Sequence, residues 1–234
     1  MKMNLEDIEN QVIKECPDNH CGGTFYTIET KIKYCKCYEK LIRYDKYNKS
    51  GIEQEWWDFD KDNLIDDFSK KNQSLIDKYD FFIDNIHLCV KNKIQFWFSG
   101  TYGSGKSTIA IMMLKRVLDN GYNGLFLNGF EVIDRLYHDR KHEMDDKAFL
   151  VVDEFDKVKK NTIDDFCDLI SSYMEKKNII LIGNKDIIQL RRGGYPDFFL
   201  DRLDAFSKFT FKEGSYRKKI QPKFETILEL NKKK

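Results

Sequence analysis

The sequence predicts an α/β protein: a parallel sheet flanked by helices, preceded by a small cysteine-rich module. Three observations carry that prediction. Short apolar runs alternate with helix-period stretches from residue 91 onward. A glycine-rich loop ending in lysine joins the first such run to the first such stretch. Four of the six cysteines, Cys16, Cys21, Cys35 and Cys37, cluster within the first 50 residues. Continuous apolar runs, unlike alternating ones, suit strands covered on both faces. Strands alternating with helices give a parallel sheet.

The elements follow in chain order. Residues 94–99 (IQFWFS) form the first strand candidate. Residues 106–120 follow as a helix, with Ile109, Met112, Met113 and Val117 on one face. Residues 124–128 are a second strand and the stretch around 130–137 a second helix. Residues 148–152 (AFLVV) are a third strand, followed by a helix around 163–176. Residues 179–183 (IILIG) are a fourth strand, and 208–212 a candidate fifth. Upstream, residues 51–90 carry ten Asp and Glu against four Lys, an acidic stretch that reads as connecting chain. The expected organisation is a cysteine-rich module over 1–50, a linker over 51–75 and a nucleotide-binding domain over 76–234.

Composition narrows the function. Hydrophobic residues make up 41% of the 234, enough for a packed core and too many for a disordered chain. The 40 basic side chains nearly cancel the 39 acidic ones, so nucleic-acid binding by bulk charge alone is excluded. No apolar run approaches the roughly 20 residues of a membrane span. The first 15 residues have no apolar signal core, so no membrane contact and a cytoplasmic location are expected.

The strongest motif is Gly100-Thr101-Tyr102-Gly103-Ser104-Gly105-Lys106-Ser107, which fits GxxxxGK[ST] at every fixed position. Glycines let the chain curl so that successive N–H groups point at phosphate oxygens. The helix beginning there, with Thr108 in its first turn, presents its positive end to the same anion. Lys106 can reach the β- and γ-phosphates, and Ser107 can place its hydroxyl on Mg²⁺. A chance glycine turn would not need the flanking strand and helix as well.

Asp153 and Glu154 end the third strand. In a parallel sheet the carboxyl ends of neighbouring strands face one crevice. Asp153 is placed to help hold Mg²⁺, and Glu154 to polarise a water that attacks the γ-phosphate. Asn184 ends the fourth strand, between the other two, where it could sense that phosphate. A solvated charge pair and a turn asparagine are the plain alternatives. Phosphoryl transfer also gains from a cation on the developing charge, often from a neighbouring subunit. Arg202, Arg217, Arg191 and Arg192 are all candidates, and periodicity does not choose among them.

The four clustered cysteines match the tetrahedral thiolate set of zinc. A module of about 50 residues has little core, so a metal would supply folding energy. Reduced, unligated thiols are the alternative. Cys89 and Cys167 stand alone in apolar contexts and read as small buried hydrophobes. Trp56 and Trp57 read as packing residues. Residues 205–234 carry nine Lys and Arg against three Glu, so Lys218, Lys219, Lys223 and the 232–234 tail could meet phosphates, with Tyr216 stacking on bases.

Taken together, these stretches resemble the DnaC/DnaI-type helicase loaders of bacteria and phages, relatives of the IstB transposition ATPases within the AAA+ class. The likeness rests on the cysteine module, Lys49-Ser50-Gly51-Ile52, GTYGSGKS, VVDE, the strand ending in Asn184, Arg202-Leu203 and Gly214-Ser215-Tyr216-Arg217. It implies an AAA+ P-loop ATPase that hydrolyses ATP to ADP and phosphate, binds a hexameric replicative helicase and delivers it onto single-stranded DNA. It makes Asn184 the first sensor residue and Arg202 an arginine finger acting on a neighbour's ATP. It also implies self-association when ATP is bound, and helicase contact by the cysteine module. An IstB-like transposition helper is the alternative within the class. Only 22 residues follow the fifth strand candidate, too few for a full helical lid, as is usual in this group. The Cys16-x₄-Cys21 spacing is wider than such modules generally show.

Overall fold

The computed structural model describes residues 3–16, 25–28, 32–212 and 216. Cys21 and Arg217 lie outside the described residues, as do the lysines of the C-terminal segment. The chain begins with α1 (Leu5–Lys14), capped by Asn4, whose side chain accepts from the Asp7 N–H at 2.8 Å. A two-stranded antiparallel ribbon follows, β1 (Tyr26–Ile28) and β2 (Ile32–Tyr34), and then α2 (Lys36–Lys49). Three helices occupy the acidic region: α3 (Asp66–Lys71), α4 (Gln73–Asp84) and α5 (Ile86–Lys91). Next come β3 (Gln95–Ser99), α6 (Lys106–Asp119), β4 (Gly124–Asn128), α7 (Gly129–Tyr137) and α8 (His142–Asp145). The described chain closes with β5 (Phe149–Asp153), α9 (Ile163–Met174), β6 (Asn178–Gly183), α10 (Ile187–Arg192), α11 (Asp197–Asp204) and β7 (Ser207–Thr210).

The main sheet is five-stranded and wholly parallel, in the order β4-β5-β6-β3-β7. Successive side chains of a strand point to opposite faces. Phe96, Phe98, Val151, Ile180 and Ile182 therefore pack with α1, α2, α4, α5 and α6 on one side. Trp97, Leu150, Val152, Ile179 and Leu181 pack with α7, α9, α10 and α11 on the other. Register brings Asn128 opposite Asp153, and Ser99 opposite both Gly183 and Thr210. The carboxyl ends of all five strands thus share one rim. Among the described residues, no helix is long and apolar enough to cross a membrane.

Residues 51–75, expected as a linker, are not loose chain. Lys115 of α6 donates to the carbonyls of Trp56 (2.8 Å), Trp57 (2.7 Å) and Phe59 (2.6 Å), and burial pushes its ammonium pKa down. Trp57 is buried against Tyr44, with ring centres 4.7 Å apart. The Tyr47 hydroxyl donates to Asp119 at 2.9 Å, tying α2 to the end of α6. The Ser50 carbonyl accepts from the Phe126 N–H at 2.8 Å. Gly51 holds φ +79°, and a Cβ there would stand 2.6 Å from the Phe126 carbonyl oxygen, so this turn admits only glycine without displacement. The acidic region wraps the nucleotide-loop helix as one core with it.

Candidate functional site

The loop of residues 100–105 curls between β3 and α6 at the shared rim. Gly105 takes φ +92° at the entry to α6, and a Cβ on it would meet the Phe68 ring at 2.7 Å. Phe68, from α3, is buried against the outside of the loop and meets Tyr216 edge-on at 5.2 Å. The Tyr216 N–H in turn donates to the Gly103 carbonyl at 2.9 Å. The loop is thus braced from behind by Phe68 and Tyr216.

Lys106 is 6% exposed. Its Nζ donates to the Gly100 carbonyl (2.9 Å), the Thr101 carbonyl (2.7 Å) and Asn184 Oδ1 (2.9 Å). Ser107 Oγ donates to Asp153 Oδ2 at 2.5 Å. Four residues nominated from three separate stretches therefore meet: Lys106 and Ser107, Asp153, and Asn184. Burial pushes the Asp153 carboxyl above the ordinary carboxylate range. The Ser107 hydroxyl and the Glu154 N–H oppose that shift. A hydroxyl and a carboxylate side by side form an all-oxygen donor set of the kind Mg²⁺ takes, so the pair fits that ion.

Glu154 holds a left-handed backbone, φ +52°, a conformation that costs a non-glycine residue of order 1–3 kcal/mol. Its carboxylate pairs with Lys157 at 2.5 Å. Lys157 also lies over the Tyr102 ring, 5.3 Å from its centre. Glu154 is thereby joined to the phosphate loop through one cation rather than aimed directly into the loop.

Arg202 is elsewhere. It sits in the last turn of α11 and lines a depression with Lys93, Gln95, Glu175 and Ser207. Gln95 and Ser207 begin β3 and β7. Arg202 is thus at the amino end of the sheet, a five-residue strand or about 17 Å from the phosphate loop. Arg191 is paired with Asp197 at 2.8 Å.

Asp156 was not among the residues nominated. It is buried, and its Oδ2 accepts from the Asn184 N–H (2.8 Å) and the Lys185 N–H (3.1 Å). It fixes the backbone that carries Asn184. The signal was a second aspartate three residues after Asp153, within a run of charged residues that hid it. Phe68 carried no motif at all.

Of the four clustered cysteines, Cys16, Cys35 and Cys37 have Sγ atoms all within 4.8 Å of one another. Cys16 and Cys35 are 3.9 Å apart, and neither is in a disulfide. Thiolates on a tetrahedral zinc with bonds of about 2.3 Å stand roughly 3.8 Å apart, so the donor set and its spacing fit. Cys89 and Cys167 are buried, and burial pushes both thiol pKa values up, as inert packing cysteines require.

Residues 92–181 match the family model described as adenylylsulphate kinase. Those residues run from just before β3 into β6, and so include the glycine-rich loop and Asp153. No curated protein matches the sequence. Among solved structures, the chain resembles the DnaC helicase loader at 17% identity and a TM-score of 0.53, covering 68% of this chain and 100% of that one. DnaI is similar at 12% identity and a TM-score of 0.52, covering 71% and 94%. DnaA from Aquifex aeolicus, bound to AMPPCP, is similar at 15% identity and a TM-score of 0.53, covering 74% of this chain and 53% of that one. The chain spans about half the length of the initiation-factor and DnaA chains it matches. At such identities the likeness speaks to architecture, and by architecture this chain has the P-loop NTPase fold that helicase loaders and DnaA share.

Proposed function

We propose that the chain is an ATPase that loads a hexameric replicative helicase onto single-stranded DNA. The observation that carries the ATPase reading is the meeting of Lys106, Ser107, Asp153 and Asn184 on one rim. Lys106 exchanges its loop carbonyls for β- and γ-phosphate oxygens. Gly100 to Gly105 supply N–H groups to the same phosphates, and Thr108 extends the first turn behind them. Ser107 and Asp153 would hold Mg²⁺, which would neutralise phosphate charge. Glu154, once released by Lys157, accepts a proton from the attacking water. Asn184 orients that water and the γ-phosphate, on a backbone fixed by Asp156.

The distance of Arg202 from its own loop supports the trans assignment. A finger at the opposite end of the sheet can complete only a neighbour's site, so the active form is a homo-oligomer. Arg202→Ala should bind ATP normally yet lose on the order of 10³-fold in assembled turnover. Mixing it with Glu154→Gln subunits should restore activity, because each supplies what the other lacks. A mixture no faster than either variant alone rules out trans action.

The cysteine module is the proposed helicase contact, stapled by zinc through Cys16, Cys35, Cys37 and Cys21. Metal analysis of the purified chain should find one zinc per chain, and Cys35→Ser should release it and loosen α1 and the ribbon. A wild-type chain without zinc overturns the staple. The loader reading itself is tested with the helicase of the same genome, single-stranded DNA and ATP. Helicase transfer onto DNA that needs this chain and ATP is expected. A chain that hydrolyses ATP but neither binds nor transfers helicase removes the loader reading and leaves the ATPase.

A further inference from the structure

Beside Arg202 lies a second surface. Helices α4 and α5 stand off from β7, and the groove between them, about 740 Å³, is floored by Phe82, Phe96 and Phe209. Phe81 and Leu88 stand on its wall, 66% and 56% exposed. Ile94 and Ser207 line both this groove and the depression that holds Arg202, so the two form one continuous face. That face runs along the edge strand β7 and around the amino end of the sheet. Large apolar side chains beside an open strand edge mark a surface that another element covers.

The charges of this face indicate which element. Arg43, Arg116, Arg135, Arg140 and Arg191 each pair with a carboxylate. Arg202 is exposed and, among the described residues, pairs with none. Lys93, in the same depression, donates to a main-chain carbonyl, that of Glu175, at 2.7 Å. Two cations of one face therefore stand ready for an anion from outside the chain.

The opposite end of the sheet carries the complementary surface. Tyr102 follows β3, Phe130 follows β4 and Ile188 follows β6, each past the carboxyl end of its strand. They are 59%, 43% and 60% exposed. They stand around the rim where Lys106, Ser107 and Asp153 meet. If Arg202 is to reach a neighbour's phosphates, the amino-end face of one copy must lie on the carboxyl-end rim of the next. The two surfaces differ, so the association is head-to-tail rather than two-fold. Apolar side chains then meet apolar ones, and the cations meet phosphate.

The geometry points to a second copy of this chain as the occupant of the groove: Tyr102, Phe130 and Ile188 of one copy pack against Phe81 and Leu88 of the next. The inference rests on the trans reading of Arg202 and adds the surface that holds the finger in place.

The test uses full-length chains in the mixture of Arg202→Ala with Glu154→Gln. In that mixture only the Glu154→Gln copy supplies a finger, and only the Arg202→Ala copy supplies a working rim. Leu88→Asp on the Glu154→Gln copy should cut the restored phosphate release at least about tenfold, the worth of one buried leucine. The same change on the Arg202→Ala copy should cost less than about twofold, because that groove faces no working site. Ile188→Asp should show the reverse preference. A misfolded variant would lose activity in either copy, so equal losses in both, or no loss in either, overturn the proposal. A second measurement does not depend on complementation. A photoreactive benzoylphenylalanine in place of Leu88, in the Glu154→Gln chain with ATP, should link to another copy within residues 100–104, 129–132 or 186–190. No link between copies, or links elsewhere, overturns the groove contact. Failed complementation with the expected links would instead remove the trans role of Arg202 and leave the groove contact standing.

Discussion

Lys106→Ala should abolish ATP binding and turnover. The buried ammonium already sits at the rim where phosphates would lie, bonded to two loop carbonyls and to Asn184. On ATP binding, two of those bonds are replaced by bonds to charged phosphate oxygens. Charge-assisted bonds contribute about 1.5–3 kcal/mol each. Losing two weakens binding by about 10²- to 10⁴-fold. Titration with a fluorescent ATP analogue measures the affinity directly. Thermal melting without nucleotide adds a second reading. The same ammonium holds the loop to Asn184, so the variant should also melt earlier before any ATP is added. Unchanged affinity and rate would remove the phosphate-loop assignment and the ATPase reading with it.

What the sequence made legible depended on where burial was continuous. Strands buried on both faces read as unbroken apolar runs, and β3, β4, β5 and β6 lie within one residue of their expected bounds. The fifth strand was expected over 208–212 but runs Ser207–Thr210. It is one of the two edge strands, with only Phe209 buried within it. Phe211 shifted the apolar signal onward although it packs beyond the strand's end, over Gly100. Helices α10 and α11 gave no clear signal. They are six and eight residues long, separated by Gly193, Gly194 and Pro196.

Charge hid the packing of residues 51–75. Their carboxylates face water or pair with bases, as Asp60 does with Arg116 at 2.9 Å, while Trp57 and Phe68 carry the burial. The strand-end residues of the candidate site were legible because a parallel sheet lines up its carboxyl ends. Asp156 and Phe68 were not. Each acts through a partner distant in sequence, Asn184 and Gly105, and no local pattern encodes that approach.

Glu154→Gln should leave ATP binding intact and slow hydrolysis by about 10²- to 10⁴-fold, the usual worth of a positioned base. The amide keeps the size of the carboxylate and most of its contacts, so the left-handed turn at Glu154 is undisturbed. What disappears is the ability to take a proton from water. The Lys157 pair sharpens the test. The carboxylate is engaged with that cation, which must let go before the base can act. Lys157→Ala should therefore raise basal turnover in the wild-type background and do nothing in the Glu154→Gln background. Steady-state phosphate release measures all four rates. Equal rates for wild type and Glu154→Gln would end the hydrolase reading. A Lys157→Ala effect that persists without the carboxylate would show that the cation acts on something other than the base.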